Sequence, residues 1–297
     1  MIHPFYFLLA AWFCIVNALY RPAFKSFEAG GFSQLASEGF GANYILWIAL
    51  LIASQSLLQH NAFSITRLFA LKGTSSSQSN QFIGNSFILK QDQTNRYHKF
   101  LGPLLFGGAL CLMLVPMATL SWFAAGILAG YLFFKGYAKS GNLLLMLACL
   151  REPITATSLK LFSGQILNTD ALLTNFILKF MGNATDLQSN IVLTETGHPL
   201  LILTGCSVFT NLSYVSLLWF ALHVYFQHKV TKASWIVLGG ILILTIISNS
   251  LRLALMTQSQ QDYIFYHDGL GRDLFDWGLM LLVCCAVMGG CRHANES

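Results

Sequence analysis

Three residues able to support acyl-transfer chemistry occur in successive segments of the second half of this chain. They are Cys206 in TGCSVFTNL, Arg252 in ISNSLRLAL and His267 in YHDGLGRD. A thiol becomes a strong nucleophile when a neighbouring base takes its proton, and imidazole, titrating near neutral pH, is the usual partner. A guanidinium keeps its charge and can donate to the oxyanion that develops on an attacked carbonyl. Cys206 is expected in the first turn of a helix, where the positive end of the dipole lowers a thiol's pKa. Asn249 lies one helical turn before Arg252 and shares its face, which suits a pocket better than lipid. Gly269 and Gly271 are expected to let the backbone turn sharply after His267, itself read as a residue of an outward loop. Each residue also has an ordinary reading: a structural cysteine at a helix start, an arginine snorkelling to the interface, a solvated loop histidine. His198, in ETGHP, reads as a turn residue.

The remaining cysteines, Cys14, Cys111, Cys149, Cys284, Cys285 and Cys291, show no zinc-site or redox CxxC spacing. All but Cys291 fall in or near apolar segments, where a free cysteine behaves as a small hydrophobe. There is no HExxH motif and no cluster of carboxylates, so neither a metal nor another cofactor is implied.

The elements that must carry these residues are apolar. Only 10% of the 297 residues are charged, far below the roughly 25% of soluble domains. Together with a mean hydropathy of +0.59, this predicts an all-α polytopic membrane protein. A crossing needs about 20 mostly apolar residues. Spans are expected near 4–20, 43–59, 101–118, 119–135, 141–151, 206–226, 235–256 and 273–290. The fifth is short, with Arg151, Glu152 and Pro153 expected to stop it. The first reads as a retained anchor, because no basic segment precedes it and no small-residue cleavage site follows it.

Charge bias sets direction. The connector His60 to Phe100 carries Arg67, Lys72, Lys90, Arg96 and Lys99 against Asp92, and includes the Ser-rich stretch Gly73 to Ser79. Lys135, Lys139, Lys229, Lys232 and Arg292 occupy other short connectors and the C-terminal tail. All fall on the cytoplasmic side if eight spans begin and end inside. The chain then reads as one integral membrane domain, residues 1–297: spans over 1–150, an outward segment over 151–205, and motif-bearing spans over 206–290. In the outward segment, Leu172, Leu173, Phe176, Ile177 and Phe180 have the spacing of an amphipathic helix that ends at Gly182 and Asn183. Ile191 to Leu203 reads as a short hairpin. This topology, derived from basic residues alone, brings Cys206, Arg252 and His267 to one outward face. No basic run suits nucleic acid.

From about residue 170 to 290 the chain resembles the exosortase/archaeosortase family of membrane cysteine transpeptidases. The resemblance rests on Cys206-Ser207 at the start of a span, Asn249-Ser-Leu-Arg252 near the end of the next, and His267-Asp-Gly-Leu-Gly271 before the last. The lead-in Gly182, Ile191 to Leu193 and Gly197 is also similar. Val208 stands where the family usually has glycine after Cys-Ser, which marks a divergent subfamily.

The resemblance implies Cys206, Arg252 and His267 as catalytic residues, with Ser207, Asn249 and Gly271 in support. It implies membrane-anchored protein substrates with a C-terminal sorting signal: a short motif, a spanning helix and a basic tail. A lipid or glycan acceptor would receive the acyl group, at the outer face of a prokaryotic cytoplasmic membrane. The competing reading is a non-catalytic membrane protein, a small transporter or an assembly partner, in which Arg252 and His267 line a path or hold an anion. A metal-dependent membrane hydrolase and an inactive member of the family are the remaining alternatives.

Overall fold

Apolar sequence without water to satisfy its backbone folds into helices, since each helix closes its own hydrogen bonds. The computed structural model, which describes residues 4–37, 42–71, 88–115, 117–183, 185–194, 198–227 and 230–296, is accordingly mostly helical. Side chains are described outside 33, 36–37, 60–71, 88–100 and 290–296. The Ser-rich stretch, Gly197 and Lys229 lie outside the described residues, as do the side chains of Arg67, Lys90, Arg96, Lys99, Cys291 and Arg292. Among the described residues, three helices are long and apolar enough to cross a membrane, over Pro4–Phe32, Val208–Tyr225 and Lys232–Met256. Tyr44–Gln59, Leu101–Leu114 and Ala118–Phe134 are shorter apolar helices.

The chain divides into two compact units, Met1–Pro153 and Ile154–Ser297. In the first, α1 (Pro4–Ser37), α2 (Tyr44–Leu71), α3 (Ile88–Leu114) and α4 (Ala118–Phe134) precede the start of α5 (Lys139–Phe180). α1 is broken at Gly30 and Gly31, and Gly31 has the left-handed φ of 68° that glycine tolerates. α1 packs chiefly on α4, and Asn17 ties it to both neighbours, donating to Ser121 Oγ at 2.9 Å and to the Met113 carbonyl at 3.2 Å. Ala124, Ala125 and Ala129 are fully buried on α4, and their small side chains let helices approach closely.

Arg151, Glu152 and Pro153 do not stop the fifth helix. α5 runs for 42 residues, carrying Pro153 inside it and its one non-helical residue at Phe162 (φ −119°, ψ 20°). A proline bends a helix without ending it when the neighbouring turns hold, and Arg151, buried and paired with Glu152, is a strong helix former. The amphipathic segment expected around Leu172 to Phe180 is therefore the distal part of α5. It ends as expected, with Gly182 at φ 82°.

In the second unit, the distal part of α5 leads into a small antiparallel sheet of β1 (Thr185–Gln188), β2 (Ile191–Thr194) and β3 (Leu200–Leu201) in the order β1-β2-β3. The expected hairpin is the β2-β3 pair, in the register Ile191 opposite Leu201; β1 adds a strand the sequence reading did not anticipate. Asn190 clamps the end of β3 through its side-chain and backbone contacts to Ile202, at 2.9 and 3.0 Å. A 3-10 turn at Thr204–Cys206 follows, then α6 (Val208–Tyr225), α7 (Lys232–Met256), α8 (Gln260–His267) and α9 (Leu270–Glu296). α7 is the hub, packing against α6, α8 and α9. A capping box between Thr231 and Ser234 starts it. Leu167, Ala171, Leu178, Val192, Leu200, Ile202 and Leu253 form a buried cluster under the sheet, and Cys206 belongs to it. Ile236, Ile243 and Ile247 are exposed along α7, an apolar stripe suited to lipid.

Candidate functional site

Cys206 ends the 3-10 turn rather than opening α6. Ser207 is the N-cap, its Oγ accepting from Phe209 N at 3.2 Å, and the helix begins at Val208. The thiol thus lies just ahead of the first turn and, at 8% exposure, is buried. Its pKa is raised, not lowered as expected from the helix dipole. Burial is the largest cause; the charge of Arg252 and the Leu203 backbone contact oppose it, while Asp268 and Asp170 push further upward. At neutral pH Cys206 is therefore a neutral thiol.

Arg252 and Asn249 are both buried on α7, so Arg252 does not snorkel. Asn249 joins the two elements: its Nδ2 donates to the Cys206 carbonyl at 3.2 Å, and its Oδ1 accepts from an Arg252 terminal nitrogen at 3.2 Å and from Asn211 Nδ2 at 3.1 Å. Arg252 Nε is buried without a hydrogen-bond partner among the described residues. A buried guanidinium donor left open beside a cysteine is an arrangement that a polarised carbonyl oxygen would complete. Asp276 on α9 lies within electrostatic reach of Arg252 and was not singled out from sequence.

His267 is not in a loop. It ends α8, and its Nδ1 lies 2.9 Å from Asp268 Oδ1 without hydrogen-bond alignment. The imidazole stacks on Tyr263, with centroids 5.0 Å apart and planes 13° apart. Tyr263 packs against the cluster that holds Cys206, and its phenol, pushed up by burial, feels the charge of Cys206 and Asp268. It also contacts the His198 ring at 5.3 Å, and His198 N donates to the Thr257 carbonyl at 2.8 Å. The structure therefore brings Cys206, Asn249 and Arg252 into direct contact or electrostatic reach. His267 stands beside them through Tyr263, with no hydrogen bond to Cys206 among the described residues.

Gly271 is inside α9 rather than in a turn. A Cβ there would come within 2.6 Å of the Tyr266 ring and 2.7 Å of the Phe265 ring, so glycine is required for close approach of α8 and α9. Gly269 similarly faces the Phe265 carbonyl, 2.9 Å from where a Cβ would stand.

Sequence reasoning missed Asp170, Asn211, Tyr263 and Asp268. Asp170 and Asn211 sit among apolar residues in helices, a weak signal of a buried polar contact. Tyr263 and Asp268 flank His267 at short range and gave no pattern of their own. No group of metal-ligating residues occurs among the described residues. No family model, curated protein or solved structure matches this chain.

Proposed function

We propose that this chain is a membrane cysteine peptidase or transpeptidase of the exosortase-like kind, with Cys206 as nucleophile, Arg252 as oxyanion donor and His267 as general base. The observation that carries the reading is the linkage of the Cys206 carbonyl through Asn249 to Arg252, whose Nε is buried without a hydrogen-bond partner among the described residues. The resemblance in Cys206-Ser207, Asn249 to Arg252 and His267 to Gly271 supports it.

The chemistry follows from these groups. His267 takes the Cys206 proton as Sγ bonds to the scissile carbonyl carbon. The carbonyl electrons move to oxygen, where Arg252 donates. Collapse breaks the C–N bond, the departing amine takes the proton back from His267, and a thioester remains on Cys206. An acceptor nucleophile, from a lipid, a glycan or water, then releases the acyl group. For His267 to reach Sγ, the Tyr263 stack must shift when substrate enters.

In this reading the protein is an eight-span protein of a prokaryotic cytoplasmic membrane, with both termini inside and the site facing outward. Its substrates are anchored proteins whose spanning helix stops with a sorting motif at the outer surface. The buried Arg252 Nε, without a hydrogen-bond partner among the described residues, also suits the second reading, a non-catalytic membrane protein in which Arg252 holds an anion. The test is processing of a tagged protein from the same genome that ends in motif, span and basic tail. Cys206→Ala abolishes cleavage while the protein still inserts, Cys206→Ser retains little, and alanine at the other six cysteines leaves cleavage intact. Full cleavage by Cys206→Ala removes the peptidase reading.

A further inference from the structure

Asp170 is a carboxylate where the sequence offers no reason for one. It lies on the distal part of α5, 1% exposed, with Leu167 and Ala171 of the apolar cluster beside it in sequence. Burying a carboxylate is costly unless it is well partnered. Its partners are the two residues that follow Cys206. Asp170 Oδ2 accepts from Val208 N at 3.3 Å, and the Ser207 side chain is near enough to hold the carboxyl's pKa down against burial. Val208 N is one of the first backbone donors of α6, which no carbonyl of that helix can satisfy. Ser207 meanwhile accepts from Phe209 N. The first turn of α6 is thus fastened to a helix 38 residues earlier in the chain. On its other side Asn249 of α7 holds the Cys206 carbonyl. The backbone of Cys206 is held between two polar anchors, one on each flank.

Resting on the cysteine-peptidase reading, we infer that Asp170 is a positioning residue: it fixes the Cys206-Ser207-Val208 backbone and so sets where the nucleophilic sulfur points. The contact is made to the backbone at Val208, so it is indifferent to the side chain there. It can therefore hold the turn with valine at that position. Asp170 also acts on the thiol through charge. Burial raises its own pKa to about 6, against the lowering by Ser207 and Val208, so it is largely ionised at neutral pH and disfavours the Cys206 thiolate. The groups facing Cys206 are Asp170 on α5, Arg252 on α7, and Tyr263 and Asp268 on or next to α8; Arg252 is the cation of the set.

The experiment is alkylation of Cys206 by iodoacetamide across pH, in membranes carrying the full chain, read on the Cys206 peptide by mass spectrometry, with substrate processing in parallel. Asp170→Asn keeps an oxygen acceptor for Val208 N but removes the charge. Its alkylation midpoint moves to lower pH, and its processing falls by about tenfold or less. Asp170→Ala loses the acceptor as well, and its processing falls about a hundredfold, the scale expected for a nucleophile displaced by about 1 Å. Ser207→Ala removes the hydroxyl that favours the ionised Asp170 and gives an intermediate loss, which keeps the test decisive if Asp170→Ala does not insert. Alkylation curves for Asp170→Asn and Ser207→Ala that superimpose on wild type overturn the inference. Because alkylation needs no substrate, that result is distinct from failure of the peptidase reading, which shows as retained processing in Cys206→Ala.

Discussion

The environment of Cys206 opposes its ionisation: burial, Asp170 and Asp268 raise its pKa, and Arg252 works against all three. Since the ordinary thiol value is near 9, alkylation of wild-type Cys206 should climb only at alkaline pH, above that value. Arg252→Ala removes the one stabilising charge, so the climb shifts to still higher pH, whereas Arg252→Lys leaves it closer to wild type. Processing tests the proposed oxyanion role of the arginine separately from its charge on the thiol. Loss of an oxyanion donor costs about 2.7–4 kcal/mol, a rate loss of roughly a hundred- to a thousandfold. Lysine restores charge without the planar fork, so it should recover the alkylation profile more fully than the rate. Equal alkylation profiles in wild type and Arg252→Ala would show that the guanidinium does not act on the thiol.

Among the elements, the short helix α8 carries the proposed base, His267. It presents Tyr263 and His267 from one face, and its distance from α9 is held by Gly271. Gly271→Ala places a methyl 2.6 Å from the Tyr266 ring and 2.7 Å from the Phe265 ring, and neither ring edge is a flexible chain end. Overpacking of this kind costs about 1–3 kcal/mol. The expected outcome is a lowered Tm in detergent and slowed processing, because α8 moves and carries His267 with it. An unchanged Tm would mean that the two helices separate freely. The sequence pattern His267 to Gly271 pointed to a glycine here for turn freedom, whereas the reason is contact. Which cause applies depends on a neighbour one turn back, Phe265 and Tyr266, whose rings the spacing of glycines does not reveal.

Across the whole molecule, Lys and Arg placement predicts a direction of insertion. With both termini inside, a cysteine introduced at position 190 should react with an impermeant thiol reagent in intact cells, and one at position 75 should not. The reverse pattern would put Cys206 on the inner face and make exported proteins unreachable. Position 190 lies in the turn between β1 and β2.

The sequence by itself determined that the chain is helical, where most apolar helices run, and which three reactive residues to compare. Those properties follow from composition and local periodicity, which a helix reads within a few turns. It also indicated the β2-β3 pair and the stop at Gly182, both short-range. Tertiary structure decided the rest. Arg151 to Pro153 look like a terminator locally, but paired and buried they are passed through by α5. Cys206 looks activated by a helix dipole, but burial and two carboxylates outweigh that field. Asp170 lies 38 residues from Val208 in sequence and 3.3 Å from it in space. A carboxylate's cost and worth are set by what surrounds it after folding, and no spacing along the chain encodes that.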